Sequence, residues 1–220
     1  MWQWRSPAFF LRNILLWLSV LSRYDHERSP FVGGCRDSTR TMVRTFVAVD
    51  LPAGMQDRLR ESQEILARSK GRLAIVAPTN LHITLKFLGE VDPAQIEPIV
   101  QALRTIAADP FEVTLGCAVC NPPKRPRVVW CDIMDAGKSA ELAARVDAAL
   151  EPLGFPREKR PFRPHVTLTR VKEFDSSLLR QVECTPRDPV GTFTVEKITL
   201  KKSSLTPRGS IYEDLAEVAL

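Results

Sequence analysis

The chain has 220 residues, of which 44% are hydrophobic and 26% are charged. This length fits one domain or two small lobes, and the composition excludes a disordered chain and a collagen-like or coiled-coil filament. The net charge is +5, but residues 1–41 hold six arginines and three acidic residues, so only +2 remains for residues 42–220.

Residues 1–41 differ in composition from the rest of the chain. They contain three of the four tryptophans and no lysine, and their apolar run ends at Leu21. That run is shorter than the about 20 apolar residues that span a bilayer, and it lacks a good small-residue cleavage site. We therefore expect a disordered N-terminal extension, or a start codon assigned too early, with the folded domain covering residues 42–220.

The first half of that domain alternates between strand and helix patterns. The predicted strands cover residues 46–50, 72–76, 82–87 and 111–119. A helix beginning at Pro52 has a predicted core face made of Met55, Leu59, Ser62 and Leu66. Asp92 and Pro93 begin a second helix, in which Pro98 predicts a kink.

The second half repeats this order. The predicted strands cover residues 128–132, 165–169, 192–200 and 211–218, with a helix around Leu142 and Val146 and a helix cap at Asp175. His82 and His165 are 83 residues apart, as are Asp92 and Asp175. This offset predicts an α+β fold of two duplicated β-α-β-α-β lobes, related by a pseudo-twofold axis, with antiparallel or mixed sheets lining a central cleft.

The same offset aligns two His-x-Thr motifs. Alternation along a strand predicts that His82, Thr84 and Lys86 share one face, while Ile83, Leu85 and Phe87 form the core face. By the same rule, His165, Thr167 and Thr169 lie opposite Val166 and Leu168. The pseudo-twofold axis would bring the two histidines face to face across the cleft.

Two imidazoles with hydroxyls and cations suit phosphodiester chemistry. A histidine pKa of about 6.5 allows one neutral ring to take a proton while another, protonated ring gives one, without a metal or other cofactor. Thr84 and Thr167 would donate hydrogen bonds to phosphoryl oxygens, and Lys86 or Arg163 would offset the growing charge. A lone histidine in a strand is usually structural, but two equivalent motifs favour catalysis.

The Cys117-x-x-Cys120 pair allows a metal or redox site. The pair lies in an apolar strand pattern, no second Cys or His pair has metal-ligand spacing, and five cysteines are an odd number. We therefore expect reduced thiols, as in the cytoplasm.

Four segments resemble the two-histidine phosphoesterase superfamily, and within it the RNA 2′,3′-cyclic phosphodiesterases once called 2′-5′ RNA ligases. They are RTFVAVDLP at 44–52, NLHITLKFLGEV at 80–91, RPHVTLTR at 163–170 and LKKSSLTPRGSIY at 200–212. The resemblance implies metal-free opening of a terminal 2′,3′-cyclic phosphate to a 2′-phosphomonoester. It implies His82 as the proton donor and His165 as the proton acceptor.

Substrate contacts are predicted less directly. Residues 72–76 lack an aromatic, so we expect Phe46 or Phe155 to stack on a base. The basic segments 124–127 and 157–160 are candidates to guide an RNA backbone. We expect a cytoplasmic monomer that binds RNA or an oligonucleotide with a cyclic phosphate end, and no membrane.

Two alternatives stay open at this point. A ligase would run the same step backward with the same residues, joining the cyclic phosphate to a 5′-hydroxyl. A noncatalytic RNA-binding module could keep the fold, although the intact His and Thr of both motifs argue against it.

Overall fold

The computed structural model describes residues 41–206 and 209–220, so the predicted extension lies outside the described residues except for Thr41. The elements in chain order are β1 (Val43–Asp50), α1 (Ala53–Ala67), β2 (Arg72–Ile75), β3 (His82–Val91), α2 (Ile96–Arg104), β4 (Phe111–Asn121), β5 (Val128–Met134), α3 (Lys138–Leu150), β6 (His165–Glu173), α4 (Ser177–Cys184), β7 (Gly191–Val195), β8 (Lys197–Thr206) and β9 (Gly209–Ala219). No helix of the described part of the chain is both long and apolar enough to cross a bilayer.

The nine strands form one sheet in the order β7-β4-β5-β6-β3-β1-β8-β9, and β2 pairs with β6. Every pairing between these strands is antiparallel. The predicted α+β class and the duplicated, antiparallel architecture are confirmed. The pseudo-twofold axis passes between β3 and β6, so that β1 corresponds to β5 and β4 corresponds to β8.

The two halves exchange strands. β4 belongs to the first half of the sequence but pairs with β5 of the second half. Its counterpart β8 belongs to the second half but pairs with β1 of the first half. Each side of the sheet is therefore built from both halves of the sequence, whereas the repeat alone predicted one lobe from each half.

Helices cover the reverse face of the sheet, away from the histidines. The predicted face of α1 is confirmed, because Met55, Leu59, Ser62 and Leu66 are all buried. Burying a leucine such as Leu59 stabilises the fold by about 1.5–3 kcal/mol. Within α1, Gln63 is also buried, and its side-chain amide donates to the main-chain oxygens of Val76 and Leu168. α1 is thereby tied to β6 close to the second His-x-Thr motif.

Two predicted elements differ from the structure. Residues 192–200 were expected to form one strand, but the chain breaks at Glu196 into β7, which pairs with β4, and β8, which pairs with β1. Pro98 lies in the first turn of α2, because residues 93–95 form a separate 3₁₀ turn capped by Asp92. A proline in the first turn breaks no helical hydrogen bond, so the expected kink has no cause there.

Candidate active site

β3 and β6 bring the two His-x-Thr motifs together at the centre of the sheet. Ile83 pairs with Val166, and this antiparallel register sets His82 opposite Thr167, and Thr84 opposite His165. Ile83 and Val166 are fully buried, so alternation places the other four side chains on the opposite face. Diagonal neighbours in such a ladder are about 7–8 Å apart, a distance that a phosphodiester group can bridge.

Main-chain carbonyl groups orient both imidazole rings. His82 Nδ1 donates to the oxygen of Asn80 at 2.7 Å, and His165 Nδ1 donates to the oxygen of Arg163 at 2.8 Å. A carbonyl oxygen accepts only, so each Nδ1 carries hydrogen and each Nε2 is the atom that exchanges a proton. His82 Nε2 lies 3.0 Å from Thr84 Oγ1. The hydroxyl donates to the neutral ring and accepts from the protonated one.

The pKa of both imidazoles is lowered, but the strongest charges around them differ in sign. Burial lowers the pKa of both rings, and the carbonyl hydrogen bonds oppose this. Among the charges around His82, the carboxylate of Asp50 acts most strongly and favours the protonated ring. At His165 the strongest charge is the guanidinium of Arg170, which favours the neutral ring. The two rings therefore share a lowered pKa and differ in the charge that acts most strongly on them.

A β-bulge in each half changes which side chains reach this face. Ala48 pairs with Thr84 but Val47 pairs with Lys86, so one extra residue shifts the alternation of β3. In β6, Trp130 pairs with Thr167 but Val129 pairs with Thr169. The predictions that Lys86 and Thr169 face the site, and that Phe87 faces the core, are therefore wrong.

Lys86 instead lies on the reverse face. It is 8% exposed, and its Nζ donates to Asp147 Oδ1 of α3 at 2.5 Å and to the oxygen of Pro156 at 2.7 Å. The other carboxylate oxygen of Asp147 accepts from the main-chain N–H of Glu158. The ammonium group of Lys86 is therefore hydrogen-bonded within the fold on the reverse face of the sheet. It does not lie on the site face, where a phosphoryl group would bind.

The two bulges bring Phe87 and Arg170 onto the site face at equivalent positions. Phe87 pairs with Phe46, and Arg170 pairs with Val128. Phe87 is 60% exposed, and Arg170 is exposed and acts electrostatically on both histidines. Sequence reasoning missed Arg170, although the 83-residue offset relates it to Phe87. An exposed aromatic ring at Phe87 and an exposed guanidinium at Arg170 therefore flank the two histidines.

Aromatic rings pack against both imidazoles. The ring of His82 lies 4.9 Å from that of Phe46 and 5.3 Å from that of Tyr212. Phe46 is 2% exposed, so it lies too deep to stack on a base as predicted; its ring supports His82 instead. In the other half, the rings of Trp130 and His165 are 4.4 Å apart, and Trp130 Nε1 donates to Asp132. Phe155, the other residue predicted to stack on a base, follows α3 in the chain and packs against the hydrophobic core.

An ion-pair cluster around the buried Lys201 lies beside His82. Lys201 Nζ contacts Asp50 Oδ1 at 2.9 Å and also donates to Asp214, while Thr199 donates to the second oxygen of Asp50. Burial of Lys201 opposes its charge, but these hydrogen bonds to carboxylates raise its pKa. Asp50, held by Lys201 and Thr199, lies opposite His82 in the β1–β3 ladder.

The remaining predicted site residues are placed as follows. Thr84 and Thr167 lie half-buried on the site face. Arg163 is exposed in the loop before β6, and its charge lowers the pKa of the neighbouring His165. Within residues 41–206 and 209–220, no three His, Cys, Asp or Glu side chains gather as metal ligands, and the four cysteines are unpaired. Burial raises the pKa of Cys120 to about 11, which disfavours a reactive thiolate.

Comparison with known proteins identifies a family. The family model described as LigT like Phosphoesterase matches residues 49–130 and 134–212. A protein named RNA 2′,3′-cyclic phosphodiesterase from Archaeoglobus fulgidus is 36% identical over 174 residues, which cover 79% of this chain and 98% of that protein. One of the same name from Methanothermobacter thermautotrophicus is 34% identical over 178 residues, covering 79% and 96% of the two chains.

Solved structures show the same fold. The protein TT0787 of Thermus thermophilus superposes with a TM-score of 0.68 at 30% identity, covering 80% of this chain and 97% of that one. E. coli LigT in complex with 3′-AMP superposes with a TM-score of 0.67 at 28% identity, covering 82% and 99% of the two chains. Both histidines lie within the residues matched by the family model.

Proposed function

Because this chain belongs to the LigT-like phosphoesterase family, we propose that it is an RNA 2′,3′-cyclic phosphodiesterase that works by paired-histidine acid–base catalysis. The observation that carries this proposal is the register of β3 and β6, which sets two carbonyl-oriented imidazoles on one face and leaves both Nε2 atoms free of main-chain bonds. The resemblance seen in the sequence is confirmed by the family match.

In the proposed reaction, water attacks the phosphorus of the cyclic phosphate. His165 Nε2 takes a proton from the water as the new P–O bond forms. The bond from phosphorus to the 3′ oxygen breaks, and protonated His82 gives its Nε2 proton to that oxygen. The product is a 2′-phosphomonoester with a free 3′-hydroxyl, and the pair of histidines has moved one proton from one ring to the other.

Hydroxyl groups and cations around the histidines support the charge changes. Thr84 and Thr167 can each donate a hydrogen bond to a non-bridging phosphoryl oxygen. The exposed guanidinium groups of Arg170 and Arg163 lie close enough to His165 to affect its protonation, and they offer charge-assisted hydrogen bonds to the same oxygens. Such donors stabilise the negative charge that grows in the transition state.

The terminal base is proposed to stack on Phe87. The 60% exposure of Phe87 leaves its ring open on the site face, whereas Phe46 lies beneath it with a ring separation of 5.9 Å. Stacking on an aromatic ring is tolerant of base identity. Phe87 then holds the base, and Arg170 holds the phosphate.

Assaying purified protein on an oligonucleotide ending in a 2′,3′-cyclic phosphate tests the proposal. We expect a 2′-phosphomonoester, identified by phosphorus NMR, and turnover lowered by about 10²–10⁴-fold in His82→Ala and in His165→Ala. A 3′-phosphate product, or full activity in either variant, would contradict it. Adding an RNA with a 5′-hydroxyl and measuring 2′-5′ joined product separates hydrolysis from the ligase reaction.

The oligomeric state and location belong to the same proposal. Both histidines and their supporting residues come from one chain, so a second copy is not needed to complete the site. We propose a monomer that acts in the cytoplasm without a cofactor. Light scattering at assay concentration tests the monomer, and fractionation of cells tests the location.

A further inference from the structure

A short basic loop joins β4 to β5 at one end of the sheet. Residues 122–127 have the sequence PPKRPR, and we call them the basic hairpin loop. The side chains of Lys124, Arg125 and Arg127 are exposed, and in the part of the chain that the structure describes none of them forms an ion pair or side-chain hydrogen bond. The loop therefore presents three positive charges that no other described residue neutralises.

The loop is rigid and fixed to the sheet. Three of its six residues are prolines, and Pro126 is buried. The N–H of Arg127 donates to the oxygen of Asn121 at 2.9 Å, which closes the loop, and the N–H of Val171 donates to the oxygen of Arg127 at 2.8 Å. Because the backbone of the loop is already fixed, little backbone entropy is lost when its cations bind an anion.

The basic hairpin loop continues a path that starts at the histidines. On the site face of β6, His165 is followed by Thr167 and, after the bulge, by Arg170, whose partner Val128 adjoins the loop. Val171 lies six positions after His165 in β6, which is about 20 Å at strand spacing. A ligand that contacts both the histidines and the loop must therefore be longer than one nucleotide.

The other basic segment, residues 157–160, lies elsewhere. Its first cation, Arg157, pairs with Glu151 at 2.8 Å. The main chain around it is bound by Lys86 and Asp147, which belong to the reverse face of the sheet. This segment therefore follows the helix side, whereas the basic hairpin loop extends from the end of the sheet next to Val128, the partner of Arg170.

We propose that the basic hairpin loop binds the phosphate backbone of the RNA strand whose cyclic end lies at the histidines. This inference rests on the proposed function and adds the partner's class and path: a single-stranded RNA of several nucleotides, running from the site past Arg170 to the loop. Lysine and arginine contacts to phosphates carry no base information, so this binding is independent of sequence.

Two variants with matched loss of charge test the proposal. K124A/R125A/R127A removes three cations from the basic hairpin loop, and R157A/K159A/R160A removes three from the other segment. Each is assayed as full-length protein on a mononucleotide 2′,3′-cyclic phosphate and on a ten-nucleotide RNA with the same end. Melting temperatures confirm that both variants are folded.

We expect the loop variant to lose about 10–100-fold in kcat/KM on the RNA at 0.1 M salt, because each phosphate contact contributes a salt slope of about 0.7. The slope of log kcat/KM against log salt should fall by about 2 in magnitude for the three lost contacts. Activity of the loop variant on the mononucleotide, and of the control variant on both substrates, should be unchanged.

Wild-type activity on the RNA in the loop variant would overturn the proposal, as would an equal loss in both variants or an equal loss on both substrates. Fluorescence anisotropy with an RNA ending in a 2′-phosphate measures the loop's contribution without turnover. If wild-type protein opens no cyclic phosphate but the loop variant still binds this RNA more weakly than the control, the proposed function fails and the loop proposal stands.

Discussion

Replacing Lys86 with methionine separates a structural role from a catalytic one. Alternation along the strand places this lysine beside the reacting phosphate, whereas the structure buries it on the reverse face against Asp147 and Pro156. We expect Lys86→Met to destabilise the protein and to leave kcat on a mononucleotide 2′,3′-cyclic phosphate unchanged at 25 °C.

The size of the effect follows from the burial of the ion pair. The side chains of Lys86 and Asp147 are 7% and 17% exposed, and removing one partner of a buried pair costs about 3–5 kcal/mol. Asp147 keeps the N–H of Glu158 and some contact with water, so we expect about 3 kcal/mol, at the lower end. For a domain of this size, that lowers the melting temperature by about 6–12 °C.

Thermal denaturation and steady-state kinetics are measured on the same samples, with Arg170→Met as the control. Arg170 is exposed on the site face, so its loss should hardly change the melting temperature but should lower kcat by about 10²-fold, as for other donors to a developing oxyanion. The reasoning fails if Lys86→Met lowers kcat by that factor while the melting temperature stays unchanged.

Four further outcomes are expected. His82→Ala and His165→Ala should each lower turnover by about 10²–10⁴-fold without unfolding the protein, and a substrate with a good leaving group should rescue only the first; equal rescue refutes the acid–base assignment. Because burial lowers the pKa of both rings below the unfolded value of 6.5, the unfolded chain binds protons first, and the melting temperature should fall as pH drops below 6.5. Replacing both histidines should reduce the decrease of the melting temperature below pH 6.5, and an unchanged decrease would contradict this explanation. EDTA should leave turnover unchanged, since the site offers two imidazoles and no third ligand, and a loss restored by zinc would show otherwise. A chain beginning at Met42 should melt and turn over as the full chain does, because β1 from Val43 pairs within the described residues; a large loss in either measurement refutes this.

The sequence predicts the elements that local patterns determine. The helical spacing of Leu59 and Leu66 predicts the buried face of α1, and two His-x-Thr motifs at a fixed offset predict the site. Both follow from periodicity within one element or from a repeat, which can be read without knowing how the chain folds.

The bulges in β3 and β6 could not be read in this way. A bulge depends on how a strand pairs with its neighbour, and one inserted residue reverses every face assignment after it. Lys86 illustrates the result, since the ion pair that explains its burial joins residues 61 positions apart. The same non-local cause hides Arg170 from the alternation rule. It also brings Phe87, which alternation assigns to the core face, onto the site face above Phe46.

The exchange of β4 and β8 between the halves has a consequence for synthesis on the ribosome. The edge of β1 stays unpaired until β8 emerges, and Tyr212, which packs against His82, belongs to β9, the strand after β8. An unpaired edge strand can associate with other nascent chains, and pairing over such a long separation along the chain is slow. A chain that ends before β8 would therefore carry both His-x-Thr motifs and an open strand edge, without the Lys201 and Tyr212 side chains beside His82, which makes it a substrate for chaperones and proteases.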